Sequence, residues 1–139
     1  MTKIIDPSPF KMDSILLMIR IGIAALMLNH GIPKLLMLFS GAPVEFPAVL
    51  GMSPELSLTL AVFSEVLCSL LILFGLGTRL AVIPLIVTML VAVFYVHWND
   101  PFAKQELGLL FLLVYATLLQ TGSGRYSLDN VLLARVNKN

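Results

Sequence analysis

Five residues carry the chemistry available to this chain: Arg20, His30, Lys34, Glu65 and His97. All of them fall inside or at the edge of apolar runs. An ionisable group at the centre of a membrane helix costs about 2.5–3.5 kcal/mol on insertion scales, so it needs a partner or a task. Arg20, His30 and Lys34 share the segment RIGIAALMLNHGIPKL, in a chain with only nine Lys plus Arg. At about 100° per residue they lie within roughly 80° of arc on one helix face. Pro33 removes a backbone donor and crowds the carbonyl of Asn29, which predicts a kink and a polar recess beside Asn29, His30 and Lys34. Lys34 has two readings, an anchor snorkelling to the interface and a wall of that recess.

Glu65 stands near the middle of the second run, with Ser64, Cys68 and Ser69 beside it or one turn away. A carboxyl at that depth is either paired or protonated. Counted at about 1.5 Å per residue, Arg20 and Glu65 differ in height by only ~5 Å if the first two helices pack antiparallel. The expectation is an Arg20–Glu65 ion pair, which either locks the packing or tunes a ligand site. The same count brings His30 ~25 Å and His97 ~27 Å along their helices, at similar heights in the outer leaflet. Two histidines at one level of a four-helix bundle can ligate haem or hydrogen-bond a quinone carbonyl. Quinone is the favoured occupant of the two, and a structural role for both rings is the alternative. The candidate ligand-binding set is therefore Arg20, His30, Lys34, Glu65 and His97. No catalytic residue is assigned. With two histidines in the whole chain, no resident multi-histidine metal site is expected.

The elements that must position these groups follow from composition. The chain is 58% hydrophobic and 12% charged, an integral membrane protein rather than a soluble one. Of four apolar runs, three approach or exceed the ~20 residues that cross a bilayer, and the fourth is short unless Phe102–Glu106 begins it. They predict an all-α, four-helix transmembrane bundle with spans near 14–39, 55–76, 79–98 and 103–121, forming one domain over 1–139. The first run is too long for a typical signal-peptide core. Gly75-Leu76-Gly77-Thr78-Arg79 makes a tight turn, while the proline-rich segment 40–57 stays apolar at Phe46–Leu50, as a stretch lying on or dipping into the membrane would. Tyr115, Thr117 and Gln120 of the last run read as packing residues, and Gly108 as a point of close helix approach. Beyond Gly124, SLDNVLLARV predicts a short amphipathic helix.

Lys3, Lys11, Arg79, Arg125, Arg135 and Lys138 fall on one side of this layout, with Lys34 and Lys104 on the other. The positive-inside rule then puts both termini in the cytoplasm. A net charge of +1 without a basic block gives no case for nucleic acid. The lone Cys68 can form neither an internal disulfide nor a dithiol pair. There is no flavin or nicotinamide fingerprint, so any redox cofactor must be diffusible or held by a partner.

The R-x₉-H-G-x-x-K-L pattern from Arg20 to Leu35, Glu65 in the second helix and the closing Ser127-Leu128-Asp129 resemble the DoxX family. The resemblance implies a multi-pass protein of a bacterial inner membrane. It also implies association with quinol oxidase or thiosulfate:quinone oxidoreductase systems. The function expected is an accessory subunit of a membrane oxidoreductase that binds a quinone or similar apolar ligand among helices one to three, in contact with lipid and with a protein partner or further copies of itself. The alternatives are a non-enzymatic assembly subunit and an oligomeric permease.

Overall fold

With no water in the bilayer core, a backbone must satisfy its polar groups internally, and a chain this apolar does so as helix. The computed structural model describes residues 9–137, with side chains described from residue 11 onward; Lys3 and Lys138, used above for orientation, lie outside them. Four helices are long and apolar enough to span a membrane: α1 (Pro9–Phe39), α2 (Pro54–Phe74), α3 (Thr78–Val96) and α4 (Phe102–Thr121). A short α5 (Leu128–Val136) follows. α1 runs through Pro33 as one helix. Each helix packs on its neighbour in sequence order, whereas α4 touches α1 only lightly. That last seam is the open one.

Local chemistry explains the boundaries. Ser53 caps α2 by accepting from the Leu56 amide at 3.2 Å, and Pro54 follows as the first helical residue, where its missing N–H costs nothing. α2 stops at Gly75, whose left-handed backbone (φ 69°) lets the Gly75 amide donate to Ile72 and the Leu76 amide donate to Leu71. This double bond pattern closes a helix on glycine. Within α2, residues Phe63–Cys68 wind as a π-helical turn, and α3 ends in another over Ala92–Val96. Such turns carry an extra residue and are frequent at functional sites.

The Arg20–Glu65 ion pair expected from helix heights is not formed. Arg20 is 1% exposed and is spent on backbone carbonyls instead. Its Nε donates to Ile72 O at 2.9 Å and Nη2 to Leu73 O at 3.1 Å, while Nη1 donates to Ser123 O at 2.7 Å and Tyr126 O at 2.8 Å. The last carbonyls of a helix run short of backbone donors, and a cation at that negative helix end is favourable. Height arithmetic treats carboxylates as the arginine's only acceptors and so overlooks these carbonyls. Arg20 thus ties α1 to the end of α2 and to the segment after α4.

The Ser127-Leu128-Asp129 tail completes the same knot. Ser127 caps α5 through the Asn130 amide, both Asp129 oxygens accept the Gly77 N–H at 2.9 and 3.0 Å, and the Asp129 amide donates to Gly75 O. Gly75 is required here twice over. Its φ is positive, and a Cβ at this position would lie 2.5 Å from Arg20 Nη2. Above the knot the core is apolar, built around Met27, Ile72, Leu85, Tyr115 and Leu118, while Met18, Leu36, Leu80 and Leu113 face outward. Apolar residues on the outside are what lipid, as solvent, permits.

Replacing Arg20 by alanine removes the donor from the carbonyls of Leu73, Ser123 and Tyr126 and leaves Ile72 O with the Gly75 amide alone. Bonds from a charged donor are worth about 1.5–3 kcal/mol each, so Arg20→Ala is expected to lower unfolding stability in detergent by at least ~3 kcal/mol. Arg20→Lys recovers little of it, because an ammonium lacks the planar fork. Thermal melts of the two variants give the comparison, and a wild-type-like melt for Arg20→Ala would refute the assigned role.

Candidate functional site

Glu65 finds its cation in Lys34. The ammonium lies 2.5 Å from Oε1 and 2.7 Å from Oε2, with Glu65 2% and Lys34 28% exposed along their side chains. Lys34 is therefore neither a free anchor nor a bystander. The approach depends on Gly31, one turn earlier on α1. A Cβ on Gly31 would fall 2.9 Å from Val66 Cγ2 and 3.0 Å from the carbonyl carbon and Cβ of Glu65. Only a glycine lets α1 lie this close to the π-helical turn that presents Glu65. Gly108 of α4 does the same beside the second such turn, with Val93 Cγ2 at 2.5 Å from its would-be Cβ. Small residues set backbone separation in membrane bundles.

Above the pair, Phe46 covers the ammonium with its ring centroid 5.8 Å from Nζ, a cation–π contact. The segment carrying Phe46 folds back over the bundle. Val49 is buried there, and its amide donates to Ser57 Oγ at 3.2 Å. The apolar stretch Phe46–Leu50 thus covers α2 and α3. Between these helices Ser64 and Thr88 share a hydroxyl–hydroxyl bond of 2.7 Å.

Two cavities meet at the ion pair. The smaller, about 170 Å³, opens in the loose α1–α4 seam and is lined by His30, Lys34, Glu65, His97, Lys104 and Phe111 among others. The larger, about 460 Å³, is mostly apolar, with walls from Phe46, Leu50, Leu60, Val87, Val91 and Val96. Lys34, Glu65, Ala92 and His97 line both. Four of the five candidate residues converge on this place; Arg20 does not. A further cavity of about 520 Å³ lies between the α2–α3 turn and α5 and contains none of the five.

The two histidines differ. His30 is exposed in the seam, its ring edge-on to Phe111 at 6.0 Å, and Phe111 in turn stacks on the buried Tyr115 at 5.9 Å. His97 ends α3 and is held in place. Its Nδ1 lies 2.7 Å from Asp100 Oδ2, and Gln105 Nε2 donates to its carbonyl at 2.7 Å. The bond from His97, helped by Lys104 at 3.5 Å, holds the Asp100 carboxyl below the usual carboxylate range. A carboxyl depressed in the fold contributes above its ordinary pKa and loses that contribution as pH falls through the lowered value. Asp100 is therefore an anion throughout the neutral range. Sequence reasoning missed Asp100, Phe46 and Gln105. The signals were an acid three residues after a histidine, a lone aromatic amid prolines, and an amide one turn into the next helix.

The pair makes a stability prediction of its own. Removing one partner of a buried ion pair leaves an uncompensated charge, at a cost of about 3–5 kcal/mol, whereas replacing both with apolar groups is often neutral. Lys34→Met is expected to destabilise strongly, and Lys34→Met combined with Glu65→Leu to recover most of the loss. Additive losses in a double-mutant cycle in detergent would show that the two residues are not coupled.

No curated protein and no solved structure matches this chain. A family model, DoxX, does match it, over residues 15–98. That stretch takes in the Arg20 knot on the α1 and α2 side, the Lys34–Glu65 pair and His97, and leaves α4 and α5 outside. With more than half of its length matched, the chain belongs to the DoxX family.

Proposed function

We propose that this DoxX-family membrane protein binds a quinone or a related apolar ligand with a carbonyl-bearing head, as an accessory subunit of a membrane oxidoreductase system. One observation carries the reading. Lys34, Glu65 and His97 line a polar recess and a larger apolar cavity at once, so a single amphiphile can place its head against charge and its tail against Phe46, Leu60 and Val91. Ligand sites are mostly apolar cavities with few, well-placed polar groups. Lys34, held by Glu65, lies beside the head, and His97 presents its remaining ring nitrogen to it. Arg20, committed to four carbonyls, serves the fold and leaves the ligand set. With a lone cysteine and no nucleotide fingerprint, electrons would have to arrive through a partner or through the ligand itself.

Orientation belongs to the same proposal. Arg79, Arg125 and Arg135 gather at the Arg20 end of the bundle, so by the positive-inside rule that end, with both termini, faces the cytoplasm of an inner membrane. The ligand site then opens towards the outer leaflet. A second reading, an assembly subunit without a ligand, draws support from α5. Its Leu128, Val131, Leu132, Leu133 and Val136 are all exposed, a face suited to a membrane surface or a partner.

Organic extraction and mass spectrometry of protein purified in mild detergent separates the two readings. The quinone reading expects near-stoichiometric quinone in the wild type and a loss of at least tenfold in Lys34→Met/Glu65→Leu, the stable double replacement. A quinone-free wild type that holds a stoichiometric partner protein would overturn it in favour of the assembly subunit.

A further inference from the structure

The chain has, at the mouth of the ligand cavity, a carboxylate–imidazole pair that neither the family match nor the binding proposal assigns. His97 follows the π-helical turn that ends α3, and its amide donates back to Ala92 O at 2.9 Å. Gln105 from α4 holds the next turn through the carbonyls of His97 and Trp98. The backbone that carries the imidazole is therefore fixed from both sides. Asp100 Oδ2 meets Nδ1 at 2.7 Å. An ionised carboxylate is acceptor only, which makes Nδ1–H the donor; in the neutral ring Nε2 is then the unprotonated acceptor. His97 lines both cavities.

We propose that His97, oriented by Asp100, is the proton acceptor of the cavity, serving a ligand whose head carries an ionisable hydroxyl. The inference rests on the ligand reading above and adds a direction to it: the hydroxyl form is taken in preference to the carbonyl form. The step is a proton transfer alone. The ligand O–H bond breaks, an Nε2–H bond forms, and the products are a ligand oxyanion and an imidazolium whose other N–H stays on Asp100. A second-partner carboxylate fixes tautomer and raises the basicity of a working histidine. The oxyanion forms in the recess that Lys34 also lines, where a cation stabilises it.

The other charged groups around His97 are consistent with this. From α1 come Lys34 and His30, from α2 Glu65, and from α4 Lys104. Glu65 is already paired with Lys34. Lys104 lies 3.5 Å from Asp100 and helps to keep that carboxylate ionised. Asp100 is the one acid on His97 itself among the described residues. Half-exposed at the end of α3, the imidazole can then release its proton to water.

Two measurements on the full chain in nanodiscs test this. Nitrogen-15 NMR of the histidines reads the tautomer without any ligand. Decylubiquinone binding, followed through quenching of Trp98, the single tryptophan, with its quinol as competitor, reads the preference. The expected results are an Nδ1–H tautomer for His97 that is lost in Asp100→Ala, and a quinol-over-quinone preference that falls about tenfold in Asp100→Ala and in His97→Gln, since a glutamine hydrogen-bonds without taking a proton. An Nε2–H tautomer in the wild type overturns the inference, as do variants that weaken both probes equally, the mark of a purely structural contact. A wild type that binds neither probe overturns the ligand reading beneath it, and the tautomer result tells that failure apart.

Discussion

The Lys34–Glu65 pair is the constraint to which the outer half of this bundle is built. A carboxylate cannot sit unmatched near the middle of a membrane, and the cation that answers it must come from the neighbouring helix. Meeting that demand forces α1 and α2 together, which in turn demands glycine at position 31, where any side chain would strike Glu65 and Val66. The π-helical turn through Phe63–Cys68 presents the carboxylate at the contact. Phe46 then closes over the ammonium from outside. None of these features is explicable alone, and each follows once the pair must form. The two cavities are what is left where the pair holds α1 to α2 while α4 stays loosely joined to α1.

The inner half obeys the same rule with a different solution. Arg20 has no carboxylate on it and uses the carbonyls of a helix end and of the segment after α4. Asp129, the nearby acid, is engaged by the Gly77 amide and by Ser123. The result is a closed knot in which charge is neutralised by backbone, without a cavity shared with the histidines. Charge answered by charge beside a void is the arrangement on which the proposed ligand site rests, whereas charge buried in carbonyls is a fastener. The division assigns Arg20 and the Ser127-Leu128-Asp129 tail to architecture, and His30, Lys34 and Glu65 to the candidate site.

Hydropathy made the four spans and α5 readable before any coordinates, because lipid selects for long apolar helices and little else produces them. The convergence of His30, Lys34, Glu65 and His97 was readable for a related reason: polar groups in lipid have few places to go, and helix rise fixes their depth. Partner choice was not readable. Rise per residue gives height, but the choice between Arg20 and Lys34 for Glu65 rests on helix rotation, on a π-turn that shifts phase by one residue, and on carbonyls that a side-chain inventory omits. Asp100 and Phe46 escaped because loop conformation, which no periodicity encodes, brings them to the site.

The pairing of Glu65 is the point on which the rest turns, and it can be read directly. Solid-state NMR of the reconstituted protein, with lysine side-chain nitrogens and glutamate carboxyl carbons isotopically labelled, detects a direct dipolar contact between the two. The structure predicts a strong contact between an ammonium and the Glu65 carboxyl, matching the Nζ–Oε distances of 2.5 and 2.7 Å, that vanishes in Lys34→Met. A Glu65 carboxyl with no lysine contact, or one coupled to a labelled Arg20 guanidinium, would contradict it.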